Sequence, residues 1–177
     1  LYNYADDPAN PAMSTGTPTI YKGRPYIGSS GTAQFGAYSG HNLTVIDIPN
    51  WEIAYTVRTH GYPQTSGVLT TAYKEETGCV YVYFFDNFTP GKLRVLEDRP
   101  GQTEVSLKTM ETYTASGKSE TYTTPYNIFT TSGAQAQYAI CSPIMDEYGP
   151  IYFKNDSAYL MAVGSTIERI EVTKMPD

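Results

Sequence analysis

The feature that most constrains this chain is that it repeats itself. Three segments share one plan. The first runs Thr17-Pro18-Thr19-Ile20, then Arg24-Pro25-Tyr26-Ile27-Gly28, then Gly40-His41-Asn42-Leu43-Thr44-Val45-Ile46-Asp47. The second runs Ser66-Gly67-Val68-Leu69, then Cys79-Val80-Tyr81-Val82-Tyr83, then Gly91-Lys92-Leu93-Arg94-Val95-Leu96-Glu97-Asp98. The third runs Ser142-Pro143-Ile144-Met145, then Pro150-Ile151-Tyr152-Phe153, then Ser157-Ala158-Tyr159-Leu160-Met161-Ala162-Val163. Each unit reads as a small residue with Pro or Gly, an apolar pair, a turn, a strand carrying Tyr, a second turn and an alternating apolar strand. Side chains at i and i+2 share one face of a strand, so Leu43 and Val45 point one way and Thr44 and Ile46 the other. Repetition of this kind marks units that cannot bury their apolar faces without a neighbour.

A fourth strand is expected in each unit, at Trp51–Val57, Glu104–Lys108 and Thr166–Val172. The units then span about 17–57, 66–108 and 142–172 of a single domain covering 1–177. The step to the third unit is longer because of an insertion at 109–136. That stretch is rich in Thr, Ser and Gly, and a structureless loop of that length is unusual, so β-hairpin character is expected there. Val80-Tyr81-Val82-Tyr83-Phe84-Phe85 is too apolar for a strand with one wet face. Radial stacking would cover both faces of each unit. The expected fold is therefore all-β, a partial β-propeller of about three four-stranded antiparallel blades, with a β-sandwich as the alternative. An open arc of blades exposes apolar end faces, so a homodimer through the open edges is expected.

Composition narrows the function. The 17 Tyr and 6 Phe suit pleated surfaces, and 15 Gly and 12 Pro supply turns. The net charge of -6 disfavours nucleic acid, which needs clustered Lys and Arg. No apolar run approaches the roughly 20 residues of a membrane-spanning helix, so no membrane insertion is expected. Cys79 and Cys141 form no CxxC pair, and both read as thiols buried inside strands.

No catalytic constellation stands out. His41 and His60 fall on turns, read as solvent-facing, and lack further ligands for a metal. For a hydrolytic carboxylate pair, Asp86, Glu97, Asp98, Asp146 and Glu147 are candidates only because acids are common, and the sequence places no two of them together. Asp146-Glu147-Tyr148-Gly149 reads as a β-turn and not as a calcium loop. Trp51 reads as an apolar plug after a turn. The expectation is thus no enzyme, no metal and no cofactor. The tyrosines outside strands, Tyr62, Tyr113, Tyr122, Tyr126 and Tyr148, are the candidate ligand-binding residues, because aromatic rings stack on sugars and anchor protein interfaces.

The runs Ser-Pro-apolar, Ile151-Tyr152-Phe153-Lys154-Asn155-Asp156-Ser157 and Tyr159-Leu160-Met161-Ala162-Val163 resemble repeats of the quinoprotein alcohol-dehydrogenase-like (PQQ-like) β-propeller superfamily. They look most like propeller regions of large secreted or wall-attached proteins of Gram-positive gut bacteria. The resemblance covers roughly 17–105 and 137–172. It implies an extracellular or cell-wall-attached bacterial location. Enzymes of that superfamily hold their quinone with a Trp, an adjacent Cys pair and an Asp. This chain has one Trp and no adjacent Cys pair. The resemblance therefore implies a non-catalytic segment that binds carbohydrate or protein. The alternative is a fragment of a quinoprotein-like or polysaccharide-active enzyme whose active site lies elsewhere.

Overall fold

Strands of two to thirteen residues, most of them under nine and punctuated by Gly and Pro, cannot stand alone and must bury apolar faces against neighbours. The computed structural model describes residues 14, 16–30, 41–115 and 117–164. It is all-β apart from single helical turns, with every strand pair antiparallel. The first sheet is a meander of β1 (Thr19–Tyr21), β2 (Arg24–Ser29), β3 (Asn42–Asp47) and β4 (Glu52–Arg58). The second combines β5 (Val68–Thr70), β6 (Val80–Asp86), β7 (Lys92–Asp98), β8 (Lys108–Ala115) and β9 (Lys118–Thr130), in the order β5-β6-β7-β9-β8. The third holds β10 (Ile144–Met145), β11 (Ile151–Lys154) and β12 (Leu160–Val163). Among the described residues no sheet closes on itself.

The three sheets share one register. Thr19 pairs with Tyr26, Val68 with Tyr83 and Ile144 with Tyr152. Those tyrosines face Val45, Val95 and Ala162 on the next strand. Two residues further on, Gly28, Phe85 and Lys154 face Leu43, Leu93 and Leu160. The repeat seen in the sequence is therefore a repeat of strand pairing.

The second sheet lies between the other two. Its Val82, Phe84 and Leu96 pack against Tyr26, Leu43, Val45, Tyr55 and Val57 of the first sheet. Its Phe85 and Leu93, on the opposite face, pack with Ile151 and Phe153 of the third, joined by Tyr83, Met145, Met161 and Val163. Alternate residues of β6 thus serve two cores, which explains why that strand is apolar throughout.

Three expectations need correction. The fourth strand paired to β7 is β9 and not Glu104–Lys108. Residues 104–107 are irregular, with Val105 buried in the first core, and the insertion itself supplies the pairing strand. Its β8–β9 hairpin runs from Lys108 to Thr130, in accord with the expected hairpin character. Trp51 is 66% exposed on the β3–β4 turn at φ 56, so it plugs nothing. Cys79 and Cys141 are unbonded and lie just outside strands, Cys79 buried and Cys141 half-buried. The strand expected at Thr166–Val172 lies outside the described residues.

Candidate ligand-binding cleft

The same tyrosine meets different surroundings at the two junctions between sheets. At the first, Tyr26 is buried and its hydroxyl donates to Asp98 Oδ2 at 2.8 Å. Tyr55 donates to Oδ1 at 2.8 Å. Arg24 donates through Nε at 2.7 Å and Nη2 at 2.9 Å. Asp98 is fully buried and accepts all four bonds. Burial, reinforced by the Asp98 carboxylate, pushes both phenols far up, so both remain protonated donors. At this junction the tyrosine hydroxyls are taken up by Asp98, and Arg24 Nη1 has only the Asp47 carboxylate, at 3.8 Å.

At the second junction the equivalent residue, Tyr83, stands in a cleft of about 190 Å³. The β5–β6 connection supplies Ala72 and Tyr73, β10 supplies Met145, and the β10–β11 turn supplies Asp146, Glu147, Tyr148 and Gly149. Tyr73 is 55% exposed and Tyr148 60%, while Tyr83 is half-buried. Burial raises the Tyr83 phenol, and its hydroxyl has no hydrogen-bond partner among the described residues. Asp146 holds the turn: its Oδ1 accepts the Tyr148 N–H at 2.9 Å and its Oδ2 the Tyr152 hydroxyl at 2.9 Å. The turn closes with the Gly149 N–H donating to the Asp146 carbonyl at 3.2 Å. Gly149 has φ 98, which a side chain would resist. This matches the β-turn read from Asp146–Gly149.

The lining is chemically lopsided. It offers three phenol rings and two carboxylates, and no Lys, Arg or His. A phosphate or carboxylate ligand would find no positive partner there. Rings with nearby acceptors instead suit a ligand with apolar C–H faces and hydroxyl donors.

Tyr113 and Tyr122 are gathered elsewhere, around His60, and Tyr62 lies on His41. The β8–β9 hairpin folds across the end of β4, where Arg58 pairs with Glu120 and lies 4.4 Å from the Tyr122 ring centre. His60 Nδ1 and the Tyr122 hydroxyl are 2.9 Å apart. Phe88 and Tyr113 each meet the imidazole edge-on at 4.4 Å. Tyr62 stacks on His41 at 6.1 Å and bridges to Asn87. His60 is 7% exposed and Tyr122 9%. The turn histidines therefore do not both face solvent: tyrosines cover His60, and His41 is half-buried. Tyr126 lies apart on β9 opposite Val95 and is 46% exposed.

Burial, and then the charge of Lys92, bring the His60 imidazole down to about 4, so it is neutral in the fold at pH 7. The unfolded chain takes up this proton near the ordinary value of 6.5. Stability is then whole above that value and is lost as pH falls toward about 4. Between pH 7 and 5 the loss comes to roughly 1–2 kcal/mol. Urea midpoints at the two pH values, for the native chain and His60→Gln, measure it. Equal slopes for both chains would refute the assignment.

Other carboxylates are engaged structurally. Asp86 pairs with Arg94 and Asp98 with Arg24. Glu97 accepts from Tyr81 at 3.0 Å and from Ser106 at 2.9 Å. Tyr73 and Tyr83 escaped the sequence reading of the site. Tyr73 could have been found as a loop tyrosine between strands. Tyr83 looked like strand packing, and only the junction geometry exposes it. Comparison with protein-family models and with characterised proteins finds no match for this chain.

Proposed function

We propose that this chain is a non-catalytic β-propeller segment of an extracellular bacterial surface protein, and that it binds carbohydrate in the cleft of Tyr73, Tyr83 and Tyr148. The three-sheet stack with its common register supports the propeller reading. The sequence resemblance supports the extracellular, wall-associated setting. One observation carries the ligand: a tyrosine that is pinned by Asp98 at one junction reappears at the next in an open cleft, with a hydroxyl free to bond a ligand. Sugar rings would lie on the exposed Tyr73 and Tyr148 faces, with Asp146 and Glu147 accepting from hydroxyls.

Glycan-array screening followed by titration calorimetry tests this. Tyr148→Ala and Tyr73→Ala are each expected to weaken binding roughly tenfold, the scale of one lost aromatic contact plus its buried area. Tyr126→Ala should leave it unchanged. A screen without any binder defeats the carbohydrate reading. A binder lost in Tyr113→Ala but indifferent to Tyr148→Ala would move the site to the hairpin.

A further inference from the structure

The repeated register also identifies an interaction surface. Leu43, Leu93 and Leu160 hold one position in the three sheets, on the face that carries Tyr26, Tyr83 and Tyr152. Leu43 is 4% exposed and Leu93 0%, because in each case the next sheet covers that face. Leu160 is 77% exposed, and Ile144 beside Tyr152 is 66% exposed. The third sheet therefore presents a face built like two others that are buried. An apolar, shallow groove runs along it between Ile144, Tyr152 and Leu160.

The same logic specifies what covers it. The covering face carries Leu69, Val82 and Phe84 in the second sheet, and Met145, Ile151 and Phe153 in the third. By register, the first sheet has Ile20, Pro25 and Ile27 at those places, on its outward side. Pro25 is already buried, but Ile20 is 60% exposed, Ile27 is partly exposed, and Ile53 is 39% exposed two strands away. Among the described residues the third sheet thus presents a face without a covering sheet, and the first sheet a partly open covering face.

We propose that the exposed face of the third sheet docks the outward face of the first sheet of a second copy, head to tail. Such a contact is heterologous, and in this proposal two copies joined at both ends close into a dimer and do not propagate as a filament. The interface continues the two sheet junctions inside the chain, with the same residue chemistry.

Light scattering coupled to size exclusion tests this on the full chain over a range of concentrations. The native chain is expected to reach a mass near twice 19.6 kDa. Leu160→Lys and Ile20→Lys, each removing a buried apolar side chain from the contact, should raise the dissociation constant roughly tenfold to a hundredfold. Both positions are exposed, so circular dichroism should show native folding. The decisive step mixes the two variants. Each keeps the face that the other lacks, so a head-to-tail contact predicts a mixed dimer joined at one intact junction. A native chain that stays at 19.6 kDa throughout overturns the proposal and leaves the face to a different chain. A dimer insensitive to Leu160→Lys, or variants that fail to associate when mixed, overturns it equally.

Discussion

Asp98→Ala is expected to lower the unfolding free energy by about 3–5 kcal/mol, the range for breaking a buried ion pair by removing one partner. The substitution takes both close carboxylate bonds from Arg24, which is 4% exposed, leaving it the Gln102 carbonyl at 3.1 Å and the Asp47 carboxylate at 3.8 Å, and removes the acceptor of the Tyr26 and Tyr55 hydroxyls. A buried charge left with only the longer Asp47 pair is the dominant cost, and two phenols without acceptors add to it. A domain with a total stability of about 5–15 kcal/mol would then be near its unfolding threshold at 25 °C. Urea unfolding followed by circular dichroism gives the number. Arg24→Met combined with Asp98→Leu should recover most of the loss, because two apolar side chains of similar volume need no counter-charge. A single variant that loses less than about 1 kcal/mol would show that Asp47 or solvent takes over the Arg24 charge, and that Asp98 is not what holds this junction.

Much of the fold was legible because its signal is local. Leu43-Thr44-Val45-Ile46 alternates with period two, and that strand forms with the faces expected of it, apart from a bulge between Val45 and Ile46. The first three strands of each unit were readable for the same reason. The insertion was harder. Its hairpin character followed from length, but nothing in Lys118–Thr130 announces that β9 displaces Glu104–Lys108 as the partner of β7. That choice is tertiary: Arg94 reaches both Glu111 and the Pro125 carbonyl, drawing the hairpin over β7. His60 was misread for a similar reason. A histidine beside Gly61 in a turn looks exposed until a tyrosine more than sixty residues later covers it. The cleft was half legible, since Tyr148 stood out as a loop tyrosine, whereas Tyr83 sits in a strand and is exposed to the cleft only because of what the third sheet places opposite it.

The hairpin's anchor gives the second large effect. Asp86 is fully buried and accepts from Arg94 Nε at 2.8 Å, from the His60 N–H at 3.1 Å and from the Gly61 N–H. Arg94, also fully buried, then spans to Glu111 at 2.9 Å and to the Pro125 carbonyl at 2.9 Å. One carboxylate thus ties β6, β7, the turn after β4 and, through Arg94, both strands of the hairpin. Asp86→Ala is expected to cost about 3–5 kcal/mol, since it leaves Arg94 short of a counter-charge and two backbone donors short of an acceptor. Glu111→Gln should cost less, because Glu111 is 16% exposed and Arg94 would still hold Asp86. The two substitutions also differ in where they act. Burial opposes ionisation of Glu111, yet bonds from Arg94 and Lys92 bring its carboxyl down to about 2, so its contribution is intact above pH 4.5 and fades as pH falls from there toward about 2. Hydrogen exchange on the two variants separates the roles. In Glu111→Gln, loss of protection should concentrate in β8 and β9. In Asp86→Ala it should extend into β6 and the His60–Gly61 turn, because the buried carboxylate joins the hairpin to the sheet stack. Protection lost only from the hairpin in both variants would mean that Asp86 merely supports Arg94 and that the stack holds its turn by apolar packing.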